Sequence, residues 1–458
     1  MDGDLKVHKI AESKTEKNGL GESPFRSTGM KAVVREVFSE RNILVLSGTS
    51  VLYQIFRSIW QLWWSLYLLE ELNAPIAIVG ILSTLQSVSQ IVFQLPGGVM
   101  ADRIGRKKVI LFGSILRVVG PFAMFLSPTW EWVIPGMILN AMSALYMPAF
   151  NAIIADSLPS NKRGSAYGAY RSITSIPQIV MPVISGFYLD LMGVGAGVKL
   201  GLLLYSISAV VAIILRFFLL TETLESDKTV KIKSKKQTSN FSNIRAIMGL
   251  FRGNLLTMLI VACISGFAMR LVYPFLAVYG IEIAGFTKTQ WGMLQTIAIG
   301  LSTPLYIFGG VLSDRFGRVI PILVARSLLP VEAISLLITR DFRVLVIIFI
   351  LLGIAGGLGG GSIRSGGGMG GPSWQALIAD LTSIKDRGKI MGTMATLTGL
   401  LNLPAPIVGA YLWQIQGSNF LMATGGIIGL MVTPLILYFL HEPQRTKTTE
   451  KPKLTKEN

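Results

Sequence analysis

Gln54, Arg57, Ser58, Gln61 and Ser65 fall at offsets 0, 3, 4, 7 and 11 inside an otherwise apolar run, so they share one face of a helix. A guanidinium among amides on such a face is suited to anion recognition, because its planar fork matches a carboxylate or phosphate. The arrangement has a counterpart. Arg57 precedes Asp102 by 45 residues and Arg270 precedes Asp314 by 44, which places two arginines at equivalent positions in two similar parts of the chain. Facing one another, they would repel unless an anion bridged them; neutralisation by backbone carbonyls or a neighbouring side chain is the alternative. Tyr167, Tyr170, Arg171, Thr174 and Gln178 repeat the same offsets, and Gln86, Gln90 and Gln94, or Asn140, Ser143 and Asn151, make further stripes. Stripes of this kind also hold helices together by hydrogen bonds. Tyr273 lines a cavity or anchors at an interface, while Trp63 and Trp64 read as interface and packing residues.

Other chemistries find little support. There is no nucleophile–base pair at workable spacing and no Gly-x-x-x-x-Gly-Lys-Ser/Thr phosphate loop, so an enzyme or an ATP motor is not expected. Cys263 is the single cysteine, and His8 and His441 lie in or beside the tails. Disulfides, metal sites and cofactors are therefore not expected.

The elements that position these residues must be membrane helices. Half the chain is hydrophobic (51%), only 15% is charged, and the mean hydropathy is +0.57. A span needs about 20 apolar residues, so twelve spans use roughly 240. Apolar runs near 43–69, 76–100, 108–128, 132–156, 166–191, 198–221, 254–280, 289–312, 319–339, 344–378, 390–413 and 418–440 supply them. Residues 1–42 hold no short apolar signal core, so the first span serves as the targeting signal.

Two markers recur at half-chain distance. Gly98, Asp102, Arg103, Gly105 and Arg106 return 212 residues later as Gly310, Asp314, Arg315, Gly317 and Arg318. Pro148, Ala152, Asp156, Arg163, Gly164 and Pro182 return 224 residues later as Pro372, Ala376, Asp380, Arg387, Gly388 and Pro406. The chain reads as an all-α membrane protein of twelve transmembrane helices in two pseudo-symmetric six-helix bundles. A cytoplasmic tail at 1–42 precedes a bundle at 43–222; a basic linker at 223–253 leads to a second bundle at 254–441 and a tail at 442–458. The twelve residues gained between markers in the second half fall within 356–371, where ten of sixteen residues are glycine around Arg364. A straight helix is not expected there; an inserted loop or a hinge is.

Net charge is +17, from 42 basic and 25 acidic residues. The basic residues cluster before the first span, in the central linker and in both repeated loops, whereas the opposite loops carry Lys199, Lys288, Arg340 and Arg343. The positive-inside rule then puts both termini in the cytoplasm of a multi-pass cell-membrane protein. The charge suits anionic lipid headgroups, not nucleic acid.

With these motifs the chain resembles the major facilitator superfamily across about residues 40–441. The resemblance implies alternating access, with two bundles rocking about a central cavity and the repeated loops acting as cytoplasmic gates. It further implies that Asp102 caps the start of span 11 when that side is closed, with Asp102, Arg103, Gly105 and Arg106 as one gate element and Asp314, Arg315, Gly317 and Arg318 as its partner. The spans 3 and 9 that carry Arg117 and Arg326 would be peripheral, so packing or snorkelling is expected of both. Glu332 is the acid well inside a span and hence the coupling candidate. The expected function is secondary transport of a small organic or phosphorylated anion, with Arg57, Gln54, Gln61, Arg171, Tyr170, Gln178, Arg270, Tyr273 and Asn140 binding it. A proton-coupled exporter of drugs or amphiphiles is the alternative. Proton or ion coupling, contact with the lipid bilayer and a monomeric state complete the expectation.

Overall fold

The computed structural model describes residues 38–157, 163–223, 249, 251–360 and 371–442. Its first half comprises α1 (Arg41–Glu70), α2 (Ile76–Ile104), α3 (Arg106–Leu126), α4 (Trp130–Ser157), α5 (Arg163–Met192) and α6 (Val194–Leu219). Its second half comprises α7 (Asn254–Ile283), α8 (Lys288–Phe316), α9 (Val319–Ile338), α10a (Phe342–Ala355), α10b (Pro372–Leu381), α11 (Ile384–Leu401, continuing as Ala405–Gln416) and α12 (Ser418–Phe439). Among the described residues eleven helices are long and apolar enough to cross a membrane, and α8, bent by 55° between Tyr306 and Phe308, makes twelve if it is one span. Pro304, which lacks an amide donor, sits just before that bend. Large apolar side chains such as Leu191, Trp132 and Phe218 stand 67–71% exposed on the outer faces, an apolar belt that suits lipid. Most of the linker and both tails lie outside the described residues.

The stretch 344–378 departs from a straight helix, as its glycines imply. α4 passes through a short 3-10 turn at Ser143–Leu145, and 213 residues later the second half breaks at the same place with a π turn at Gly356–Gly360. α10a ends there and α10b starts at Pro372; residues 361–370, including Arg364, lie outside the described residues. The glycines have a packing role. A Cβ at Gly359 would lie 1.6 Å from the carbonyl oxygen of Pro321 on α9, and one at Gly357 would lie 2.5 Å from Leu305 Cβ on α8. Small residues let membrane helices approach closely, and here one segment is pressed against two neighbours.

The two repeated markers meet in space. Arg106, in the first loop, forms an ion pair with Asp156 at the end of α4, and Arg318 pairs with Asp380 at the end of α10b at 3.1 Å as well as with Asp314. Glycine is needed beside both arginines, since Gly105 and Gly317 adopt φ of 100° and 95°. Each half then caps its third helix with an acid from its own last segment. Glu222 accepts from the backbone amides of Arg106 and Lys107 at 3.2 and 3.0 Å; Glu442 accepts from those of Arg318 and Val319 at 2.6 and 3.0 Å. A carboxylate is favoured at a helix N-terminus. Burial by itself would lower the affinity of the Arg318 guanidinium for its proton, but the carboxylates of Asp314 and Asp380 outweigh it and hold it above the ordinary arginine value.

Candidate functional site

Between the halves lies a cavity of about 240 Å³. α1, α2 and α4 contribute Gln61, Ser65, Gln86, Ser87 and Asn140 to its wall, and α7 contributes Arg270 and Tyr273. Trp60, Trp64, Met124, Met137 and Met269 supply the apolar lining, with Pro274 and Pro406 from the second half. The site is thus mostly apolar with a few convergent polar groups, the usual make-up of a small-molecule site.

Arg270 is half-buried and, among the described residues, makes no hydrogen bond or ion pair. Its position explains this: the residue one turn further along α7 is Pro274, which has no polar side chain to offer. Arg57 differs. Its Nε donates to Gln61 Oε1 at 2.6 Å, so it reaches the cavity through an amide that lines it while standing behind the wall itself. The structure therefore does not line the cavity with both arginines.

Of the other expected binding residues, Gln61, Asn140 and Tyr273 line the cavity, and Gln54 and Gln178 are half-buried elsewhere. Tyr170 is buried against Phe150, with its hydroxyl 3.4 Å from Ser50 Oγ. The side chains of Arg171 and Tyr167 lie outside the described residues. Gln90, Gln94 and Asn151 are exposed. Trp64 lines the cavity instead of anchoring at an interface, and Trp63 is fully buried, its indole donating to Ser185 Oγ at 2.9 Å. Arg117 and Arg326, for which packing or snorkelling was expected, pack inward onto aromatic faces, Arg117 onto Tyr53 and Tyr146 and Arg326 onto Trp374. Cation–π contact makes such inward burial tolerable.

Glu332 is 2% exposed and lies in a second, smaller cavity inside the C-terminal bundle, which also takes in Ser265 and Arg326. Gln295 on α8 donates to one carboxylate oxygen at 3.2 Å, and the other oxygen has no hydrogen-bond partner among the described residues. Met269 borders both cavities.

The halves touch at one end. Asp190, on α5, accepts from the backbone amides of Lys288 and Thr289 at 3.0 and 2.8 Å and from the Thr289 hydroxyl at 2.6 Å, capping α8 across the seam. Val183 N donates to Thr296 Oγ1 at 3.3 Å and Thr84 Oγ1 to Leu403 O at 3.1 Å, both in the half of the helices away from the repeated loops. Asp190 was legible in sequence as an acid at a span end, but nothing in its spacing pointed across to α8. At the loop end the described hydrogen bonds and ion pairs stay within one half. Asp102 and Arg103 are exposed without such a partner among the described residues, and α11 is capped by its own Ser383. Among the described residues the hydrogen bonds named between the halves thus gather at the far end.

Two helical bundles of equivalent construction around a wet seam cavity define the class as a polytopic carrier. The profile of the Major Facilitator Superfamily matches residues 46–365, and the chain belongs to that family of secondary transporters. It is similar to the class H tetracycline resistance protein of Pasteurella multocida, 22% identical over 379 residues that cover 80% of this chain and 87% of that one. It is also similar to the quinolone resistance protein NorA of Staphylococcus aureus, 29% identical over 120 residues covering 26% of this chain and 31% of that one. Among solved structures, the nucleoside transporter NupG superposes with a TM-score of 0.65 at 12% identity, covering 87% of this chain and 100% of that one. The inward-open xylose transporter XylE of E. coli gives 0.65 at 13% identity, covering 90% and 98%. At such identities the solved structures speak for the fold.

Proposed function

We propose that this transporter carries an organic anion whose acid group is held by Arg270 in the seam cavity, and that it rests with that cavity open to the cytoplasm. The observation that carries the reading is an Arg270 guanidinium lining the cavity with no hydrogen bond or ion pair among the described residues. A charge at membrane depth costs about 2.5–3.5 kcal/mol on insertion scales, and is retained where it has a task. A bidentate acid group satisfies it, Gln61, Asn140 and Tyr273 add polar contacts, and the tryptophan and methionine wall favours an amphipathic anion over a sugar phosphate. Cytoplasmic orientation of the open end follows from the excess of lysine and arginine in the loops at that end.

Transport then alternates the two ends. Closure of the loop end would bring Asp102 and its neighbours toward the start of α11, while release of Asp190 from α8 opens the far end. Glu332 is the coupling residue in this scheme: a carboxyl bonded to Gln295 on α8, one of the helices that closes the far end, can report its protonation to the gate.

A second reading, export of drug-like amphiphiles, is favoured by the methionine-rich lining and by the tetracycline and quinolone resistance relatives. Purified protein in proteoliposomes, given labelled salicylate, glucose 6-phosphate or tetraphenylphosphonium under an imposed pH gradient, separates the two. The anion reading expects salicylate or the phosphate ester to be moved and the rate to fall at least about tenfold in Arg270→Met, as loss of a charge-assisted pair predicts. Movement of tetraphenylphosphonium alone, unchanged in Arg270→Met, would establish the second reading.

A further inference from the structure

The interior of the N-terminal bundle holds the guanidiniums of Arg117 and Arg216, and among the described residues no carboxylate pairs with either. Every acidic side chain from Glu40 to Glu222 is exposed. Arg216 is fully buried and satisfied by hydroxyls, with Nε and Nη2 donating to Thr49 Oγ1 at 3.1 and 2.9 Å and Nη1 to Ser114 Oγ at 2.8 Å. Arg117 is not satisfied in this way. Its guanidinium sits 5.0 Å from the ring centroid of Tyr53 and 4.4 Å from that of Tyr146, and its Nε reaches Ser143 Oγ at 3.4 Å. Neither Nη of Arg117 makes a hydrogen bond among the described residues.

A second group there also wants an acceptor. Tyr53 is 2% exposed, its ring lies 5.0 Å from the Arg216 guanidinium as well, and its buried hydroxyl has no hydrogen-bond partner among the described residues. Donors without acceptors around uncompensated positive charge describe a place for an acceptor-only group of negative charge. The place is also well located. Arg117 and Met124 share one face of α3, seven residues apart, so Arg117 lies about 10 Å from the cavity wall toward the open end.

We propose that Arg117 and Tyr53 form a second anion site in the N-terminal bundle, between the seam cavity and the open end, which takes a small inorganic anion or the acid group of the carried solute. The inference extends the anion reading to a separate site on different residues, so the two fail separately.

The test is thermal unfolding of the purified full chain in gluconate buffer at constant ionic strength, titrated with chloride, inorganic phosphate or salicylate. In the Arg270→Met background, which lacks the proposed seam-cavity site, a saturable rise in midpoint is expected to remain, to need about five times more anion when Tyr53→Phe is added, and to be lost when Arg117→Met is added, in keeping with the strength of charge-assisted bonds. A rise with chloride alone marks a resident ion; a rise with salicylate as well marks a station for the solute's acid group. Should Arg117→Met fail to fold, the isosteric Tyr53→Phe variant decides. The site is overturned if no anion raises the midpoint of Arg270→Met, or if that rise is unchanged when Tyr53→Phe or any folded Arg117 variant is added.

Discussion

Arg57 and Arg270 occupy equivalent positions in the two halves, yet the residue four places on makes them different: Gln61 takes up the first guanidinium, and Pro274 leaves the second to the cavity. Substitutions should show the difference. Arg270→Ala is expected to raise the KM for anion uptake about 30-fold, corresponding to roughly 2 kcal/mol for a lost bond to a charged group, while Arg57→Ala raises it only about threefold. Initial rates in proteoliposomes measure both, and equal effects would contradict the distinction. Glu332→Gln keeps the bond to Gln295 and removes the titratable proton. It should abolish accumulation driven by a pH gradient and leave solute exchange at equilibrium pH within about twofold of wild type, as expected for a residue that couples without binding the solute. Depth and residue type made the arginines and Glu332 legible in the sequence. The inward turn of Arg117 was not, because its aromatic partners come from other helices, Tyr53 from α1 and Tyr146 from α4.

At the scale of elements, the repeated loops read in sequence as two kinds of marker, and in space they are opposite ends of one clamp in each half. Arg106 with Asp156, and Arg318 with Asp380, tie the loop before the third helix to the end of the fourth. Spacing along the chain carried the repetition but not this pairing, which depends on how α2, α3 and α4 come together. The glycine-rich segment shows the same limit: its composition announced a break, and its contacts with Pro321 and Leu305 supply the cause. Gly359→Leu should therefore fail structurally, with loss of folded protein or a midpoint at least about 5 °C lower, as overpacking at a close helix crossing implies. A wild-type midpoint in that variant would remove the packing argument. Asp190 belongs to this scale too, since it holds α8 through two backbone amides and a hydroxyl. Asp190→Ala removes the cap from one side of the seam and should shift the resting population toward a far-end-open state.

For the whole molecule, the asymmetry of the ends is the functional statement. The inter-half hydrogen bonds named above gather at the far end, the cavity with Arg270 lies between the halves, and the proposed resting state leaves the loop end open. A carrier, unlike a channel, exposes such a cavity to one side at a time. The most direct test places a cysteine in its wall, as Ser87→Cys in a Cys263→Ser background, and applies a membrane-impermeant maleimide to oriented vesicles from either face. The account predicts alkylation from the cytoplasmic face alone at rest, alkylation from the opposite face when Asp190→Ala is added, and slower alkylation when a transported anion fills the cavity. Simultaneous labelling from both faces, or labelling at rest from the opposite face only, would contradict it.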